Sequence, residues 1–261
     1  MRLLDLFCGA GGAAMGYYRA GFTDIVGVDI ASQPRYPFTF VQADALEYAA
    51  EHGQEFDVIH ASPPCQAYSV MRNLPWLQHK CYPALILPTL TLLVKLSKLY
   101  IIENVMGARR GSKVLTRWGL EAHGLDADYL CGTMFGKPFY RHRLFATNWL
   151  WLAPEHPKHI LRLHPQMDMK PHCDPFHDTK GRSIIGPGNL GKGAGLSRWQ
   201  NGAQAEGVGI EHAKGWHLAA EAMDIDWMNR AELTQAIPPA YTEYVGKQLI
   251  QQLQVEHMFC T

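Results

Sequence analysis

Leu3-Leu4-Asp5-Leu6-Phe7-Cys8-Gly9-Ala10-Gly11-Gly12 is the stretch from which the fold of this chain is read. Leu3 to Phe7 is a short, nearly uninterrupted apolar run, long enough for a buried strand and too short for a helix. Cys8 to Gly12 supplies a glycine turn, and Ala13 to Ala20 are good helix formers. A strand, a turn that lets a ligand approach the backbone, and a helix whose first amides point at that ligand form one unit.

The same alternation continues outward from this unit. A strand over Ile25 to Val28 finishes on Asp29, a short one over Thr39 to Gln42 leads to Ala43-Asp44, and one over Phe56 to His60 runs into Ala61-Ser62-Pro63-Pro64-Cys65. Ala84 to Leu99 has apolar residues at helical spacing, and Tyr100 to Ile102 reads as a buried strand ending at Glu103-Asn104. Repeated strand-helix units predict an α/β fold with a doubly wound, mostly parallel sheet, whose ligands bind beyond the carboxyl ends of the strands. This pattern fills residues 1–150. Residues 151–217 are rich in Pro, Gly and His and show no sustained period, so a small irregular subdomain is expected there. Regular pattern returns over 218–261, with a final amphipathic helix over Tyr241 to Leu253.

Composition is that of a globular protein: 261 residues, 47% hydrophobic and 18% charged. The longest apolar stretch, Ala84 to Tyr100, is broken by Pro88, Lys95 and Lys98, and LLDLF directly after Met1-Arg2 is too short for a secretory signal. A soluble, cytoplasmic protein without a membrane partner is the expectation. The 24 Lys/Arg cancel the 24 Asp/Glu. The cancellation is uneven: residues 1–60 hold 3 basic against 8 acidic groups, whereas residues 61–136 and 137–182 each hold 8 against 4. A basic middle of this kind fits a polyanionic partner better than the total suggests. Six cysteines at irregular spacing, with no CxxC, are expected to be free thiols.

Three sets of residues carry chemistry. FCGAGG matches neither GxGxxG nor the GK[ST] ending of a phosphate loop, but Asp29 follows it by about 20 residues, where a carboxylate accepts from ribose hydroxyls. Asp44 ends the next strand and suits an exocyclic amine, so the three describe an adenosine-type pocket. The same residues would also serve as a tight turn and two helix caps. Cys65, directly behind two prolines on the ligand rim, is rigidly presented; a reactive role requires its thiolate. Glu103, ending a buried strand, is expected to hold a proton near neutral pH because burial disfavours its charge.

The ordered series DLFCGAGG, VGVDI, ADAL, SPPCQAYS, IENV, RHRLF and QAIPPAYTEYVGKQL resembles the motif set of the cytosine-C5 DNA methyltransferases, and WM-R-ELTQAIPP resembles their short phage or prophage members. The resemblance implies a Rossmann-like methyltransferase domain that uses S-adenosylmethionine and releases S-adenosylhomocysteine. It implies that Cys65 attacks C6 of a cytosine in double-stranded DNA, with Glu103 at N3, Asn104 supporting Glu103 and the target base, Arg143 near O2 and Arg141 orienting it or a phosphate. The donor is expected against Phe7, Gly9, Gly11, Gly12, Asp29, Ile30, Asp44, Ala45 and Pro63. The target base must leave the duplex. Residues Ala67 to Lys80, with Ser69, Arg72, Trp76 and His79, resemble the loop that closes over it, and Gln66, Ser69 and Arg72 are expected on DNA.

Three departures stand out. Asp29 replaces the family's usual glutamate, Phe139 stands where a glutamine precedes the arginine pair, and Thr234-Gln235 replaces Gly-Asn beside the donor, which leaves a modified donor open. The recognition region, between Leu152 and His217, is short, so a short or loosely specified target is expected. Lys158, Arg162, Arg182 and Arg198 are its expected phosphate contacts, which give affinity without sequence information. His156, His159, His164, His172, Cys173 and His177 match no standard zinc spacing, so no metal is expected. The resemblance implies a monomer, with a cognate restriction enzyme or viral genome protection as its setting, in a bacterial or phage-infected cell. A tRNA cytosine-C5 methyltransferase and a non-catalytic DNA-binding or partner subunit are the alternative readings.

Overall fold

The computed structural model describes residues 1–68, 82–112, 114–137, 139, 141–157, 217 and 219–259. Its described residues divide into two units, one of Met1–Leu130, Arg143–Ala153 and Ala236–Thr261, the other of Cys131–His142 and Pro154–Gln235.

The first unit is built on a seven-stranded sheet. In chain order its elements are β1 (Arg2–Leu6), α1 (Gly12–Ala20), β2 (Asp24–Asp29), β3 (Thr39–Gln42), α2 (Ala45–His52), β4 (Val58–Ala61), α3 (Ile86–Leu96) and β5 (Leu99–Val105). There follow α4 (Ala108–Gly111), α5 (Arg117–Ala122), β6 (Asp126–Leu130), β7 (Arg143–Thr147), α6 (Arg230–Gln235), which belongs to the second unit, and α7 (Pro239–Phe259). The strand order is β3-β2-β1-β4-β5-β7-β6. β3, β2, β1, β4 and β5 run parallel, and β7 is antiparallel to both β5 and β6. The doubly wound α/β architecture expected from the sequence is present, with an antiparallel edge.

Boundaries shift for local reasons. The fourth strand begins at Val58 rather than Phe56 because Gly53–Glu55 forms a 3-10 turn that Phe56 closes. The helix expected over Ala84 to Leu99 is confined to Ile86–Leu96, since Ser97 adopts a left-handed conformation at φ 54 and ends it. β5 runs beyond Ile102 to Val105 because β7 pairs with its last residues.

Side chains alternate across the sheet, and the two faces differ. Leu4, Leu6, Val26, Val28, Ile59, Tyr100, Ile102, Leu144 and Ala146 join one apolar cluster with α2 and α3. The other face carries a polar row. Parallel pairing aligns Gly27, Asp5, His60 and Ile101 across four strands, and Glu103 lies two residues beyond Ile101 on the same face. On this side α1 packs on α7 at glycine distance. A Cβ on Gly16 would collide with Thr242 Oγ1 and the Pro239 carbonyl, and one on Gly246 would come 2.8 Å from Ala20 Cβ. Thr242 Oγ1 donates to the Ala13 carbonyl at 2.8 Å, joining residues 229 positions apart.

Candidate active site

All five parallel strands present their carboxyl ends to one edge, so the segments that follow them meet there. The sheet changes winding direction between β1 and β4. β1, β2 and β3 lead to the expected donor residues other than Pro63 on one side of this switch point, and on the other β4 leads to Pro63 and Cys65 and β5 carries Glu103.

The glycine turn after β1 is held in conformations that L side chains rarely adopt. Phe7 has φ 58, Gly9 φ 49 and Gly11 φ 85. The Cys8 amide donates to Val28 O at 3.2 Å, and the Gly11 amide to Cys8 O at 3.1 Å. The Gly9 amide donates to Asp29 Oδ2 at 3.0 Å, while Ala31 N donates to Asp29 Oδ1 at 2.9 Å. Asp29 thus latches the turn to the end of β2, and each carboxylate oxygen keeps a second lone pair for a ribose hydroxyl.

The two flanking glycines differ in their surroundings. A Cβ on Gly9 would meet nothing within 4 Å, so the backbone there is open to a ligand, whereas one on Gly12 would run into the Ile237 backbone. Gly12 therefore brings Ala236-Ile237, from the far end of the chain, against the first turn. Beyond Asp29 the Ile30 side chain is 73% exposed, an apolar surface suited to a flat base. Asp44 caps α2, its Oδ1 accepting from Leu46 N at 2.8 Å and Glu47 N at 3.1 Å, with Ala45 buried beside it. Oδ2 is not used in the cap, so the capping and amine-binding roles are compatible. Open backbone at Gly9, two carboxylates and an exposed apolar side chain fit an adenosine-bearing donor.

Across the switch point, β4 ends at Ala61, and Ser62 to Cys65 leave it without regular structure. This loop is tied down twice. Asn104, itself buried, donates through Nδ2 to the Pro63 carbonyl at 2.8 Å and accepts from Val105 N at 3.0 Å. His60 Nε2 is hydrogen-bonded to Ser62 Oγ at 2.8 Å, and its Nδ1 to Tyr17 Oη at 2.9 Å. Complete burial lowers the His60 pKa to about 3, so the imidazole is neutral and serves as a bridge. Cys65 is partly exposed, and its carbonyl accepts from Tyr68 N at 2.9 Å to start a turn at the exposed Gln66. Cys8, the thiol of the first turn, is buried, and burial with Asp5 and Asp29 nearby pushes its pKa far up. Of these two thiols, position and exposure favour Cys65 as the nucleophile.

Glu103 is buried on β5, and Arg143 Nε lies 3.3 Å from its Oε1. The antiparallel register makes this pair: Val105 faces Arg143 across the ladder, which puts Arg143 diagonally beside Glu103 on one face. In the second unit, Arg141 is buried and its Nη2 donates to the Thr234 carbonyl at 2.9 Å. Phe139 is 1% exposed and lies against Gly132, so its aromatic ring is a packing element there. Ser69, Arg72, Trp76, His79, Lys158, Arg162, Arg182 and Arg198 lie outside the described residues, as do His159, His164, His172, Cys173 and His177.

Sequence reasoning missed two supporting residues. Tyr36 is buried, packs on Gly11 and Gly27, and donates through its hydroxyl to Asp5 Oδ2 at 3.2 Å. Gly27 inside a strand was its available signal, since an interior strand glycine marks close approach. His60 interrupts the apolar run of β4, and an isolated polar residue in a buried strand points to a local hydrogen-bond partner.

The profile of the C-5 cytosine-specific DNA methylases matches residues 1–147. The Type II methyltransferase M.AgeI of Thalassovita gelatinovora is 27% identical over 193 residues, covering 61% of this chain and 43% of that protein. The Type II methyltransferase M.FnuDI of Fusobacterium nucleatum is 34% identical over 80 residues, 28% of this chain and 23% of that one. The chain thus spans less than half the length of these curated relatives. Among solved structures, S. pombe Dnmt2 methyltransferase superposes with a TM-score of 0.59 at 13% identity, over 97% of this chain and 99% of that chain, and so shares the fold.

Proposed function

The chain belongs to the C-5 cytosine-specific DNA methylase family, and from that premise we propose that it methylates C5 of cytosine in double-stranded DNA through a covalent bond between Cys65 and C6. The observation that carries this reading is the tethered Ser62–Cys65 loop, held by Asn104 at the end of the strand that also carries the Glu103–Arg143 pair.

The donor, S-adenosylmethionine, supplies an electrophilic methyl group on a sulfonium and leaves as S-adenosylhomocysteine. Phe7, Gly9, Gly11, Gly12, Asp29, Ile30, Asp44, Ala45 and Pro63 are the residues proposed to hold it. Asp29 and Asp44 accept from ribose and adenine, and the open backbone at Gly9 allows close approach. On the substrate side, the Cys65 thiolate forms a bond to C6 of a cytosine flipped out of the duplex, at a cost of a few kcal/mol for unstacking. Glu103 gives a proton or a hydrogen bond to N3, so the electron pair of the former C5–C6 double bond accumulates at C5, the carbon that is methylated. Loss of the C5 proton to a base then restores the double bond and expels the Cys65 thiolate.

Arg143 holds Glu103 in place and lies near the base O2, Arg141 orients the base or a phosphate, and Asn104 keeps the loop at the height of the ring. No metal takes part in these steps, since carbon nucleophilicity comes from the thiolate addition itself. Residues 151–217, with Lys158, Arg162, Arg182 and Arg198, and the loop residues Gln66, Ser69 and Arg72 are proposed to contact DNA. Among the described residues no helix is long and apolar enough to cross a membrane. A cytoplasmic monomer, acting beside a restriction enzyme or in protection of a mobile genome, completes the proposal.

The test is a duplex carrying 5-fluorocytosine, whose fluorine blocks the final elimination. A donor-dependent adduct is expected with the wild-type chain and none with Cys65→Ala. An adduct with the alanine variant would overturn the nucleophile assignment. Labelled methyl entering tRNA but not duplex DNA would move the substrate to RNA, and no transfer to either would favour a non-catalytic subunit.

A further inference from the structure

The second unit contains a convergence of soft donors that the methyl-transfer reading does not use. One ligand atom each of Cys131, His142 and His156 lie within 4.8 Å of one another. The His142 and His156 Nε2 atoms are 3.2 Å apart, with the rings stacked at a centroid distance of 5.3 Å. We propose that these three residues form a transition-metal site, with zinc as its ion.

The geometry favours a metal over a simple contact. Two nitrogens bound to one tetrahedral zinc at ~2.05 Å stand about 3.3 Å apart. The observed nitrogen separation matches that span, and about 1 Å of side-chain movement brings the sulfur to its own bond length of ~2.3 Å. A hydrogen bond between the imidazoles would account for the nitrogen pair alone. The Cys131 thiol, buried and accepting from Thr133 Oγ1 at 3.4 Å, also stands within 4.8 Å of one ligand nitrogen of each ring. One thiolate and two imidazoles are a borderline-soft donor set, which suits zinc or copper rather than the hard ions calcium and magnesium. On binding, Cys131 releases its thiol proton to solvent, and both histidines bind as neutral rings through Nε2. Three protein donors leave the fourth tetrahedral position to solvent.

The placement gives the ion a role. Cys131 precedes the 3-10 turn Gly132–Phe135, His142 stands between Arg141 and Arg143, and His156 lies in the segment that follows Ala153. The chain leaves this unit after His142 and returns at Pro154. A shared ion therefore clamps the two ends of that excursion and fixes the segment in which Arg141 reaches the Thr234 carbonyl. The sequence concealed the site because its ligands are 11 and 14 residues apart, unlike the short pairs of standard zinc motifs.

The experiment measures metal on the full chain, purified without chelator, by elemental mass spectrometry, together with absorption after cobalt replacement. About one zinc per chain is expected for the wild type. Cys131→Ser and His156→Ala should each retain under about a tenth of it, and a sulfur-to-cobalt charge-transfer band should be present in the wild type and absent from Cys131→Ser. His172→Ala and Cys173→Ser should keep the wild-type content. The proposal is overturned if the wild-type chain takes up no zinc on reconstitution. It also fails if Cys131→Ser and His156→Ala keep the full content, or if only the residue-172 and residue-173 variants lose it. Circular dichroism confirms folding; should one ligand variant not fold, the other decides, and should neither fold, the wild-type cobalt band decides.

Discussion

Asparagine in place of Asp5 tests the buried polar row beneath the donor turn. Asp5 is 1% exposed on β1; its Oδ2 accepts from Tyr36, and its Oδ1 has no hydrogen-bond partner among the described residues. Burial, helped by the negative Asp29 and opposed by the Tyr36 hydrogen bond, raises its pKa from 3.8 to about 8. The carboxyl is therefore neutral in the folded protein at pH values where the unfolded chain ionises it. Between these two pKa values the folded state binds the extra proton, so stability contributed by this site is full below pH ~4, falls as pH rises, and levels off above pH ~8. At ~1.36 kcal/mol per pH unit, moving from pH 5 to 7.5 costs up to about 3 kcal/mol through this one group.

Asparagine has the shape of the neutral acid, keeps an acceptor for Tyr36 and cannot ionise. Asp5→Asn should therefore be close to neutral in stability below pH ~4, and its advantage over wild type should grow by up to about 3 kcal/mol between pH 5 and 7.5. Urea unfolding followed by circular dichroism at several pH values measures this. His60, whose lowered pKa makes stability rise with pH up to about 6.5, is common to both proteins and cancels in the difference. A difference between the two proteins that does not change with pH would refute the claim that Asp5 is buried as the neutral acid.

Three further outcomes follow from the packing and the loop tethers. Gly16→Ala should lose about 2–3 kcal/mol in urea unfolding, because the new Cβ meets Thr242, the Pro239 carbonyl and Glu243 N at 2.7 Å with backbone on two sides; unchanged stability would show that α1 and α7 are farther apart. Asp44→Ala should lose about 1 kcal/mol of stability with its cap, while Asp44→Asn keeps the cap; weaker donor binding by the asparagine variant in calorimetry then isolates the amine-binding role, and unchanged affinity would leave Asp44 a cap alone. Asn104→Ala strands the Pro63 carbonyl at a cost of about 1–3 kcal/mol and should lower kcat about 100-fold by misplacing Cys65, with a smaller rise in donor Kd through Pro63; a change confined to donor Kd would contradict the tether.

The reading of LLDLFCGAGG succeeded because strand, turn and helix there are local. Leu3 to Phe7 is too short and apolar to be anything but a buried strand, and the left-handed Gly9 and Gly11 require glycine. The edge strands β6 and β7 were not legible. Asp126–Leu130 mixes buried and exposed residues without a clear period, and Arg143–Thr147 becomes a strand only by pairing with β5. Cys65 and Glu103 were singled out because each follows an apolar run on a predicted rim. Arg141 and Arg143 have different partners, Thr234 and Glu103, because only Arg143 lies within β7.

By itself, the sequence determined the order of strands and turns, and with it which residues stand at the carboxyl ends of a parallel sheet, because local periodicity and glycine chemistry are short-range properties. Tertiary structure alone decided which of those residues touch: Asn104 on Pro63, Arg143 on Glu103, Ala236-Ile237 against Gly12, and Cys131 beside two histidines. Each of these contacts joins residues 11 to 225 positions apart. They exist because pairing register and close helix packing bring distant backbone together, and no local pattern encodes that distance.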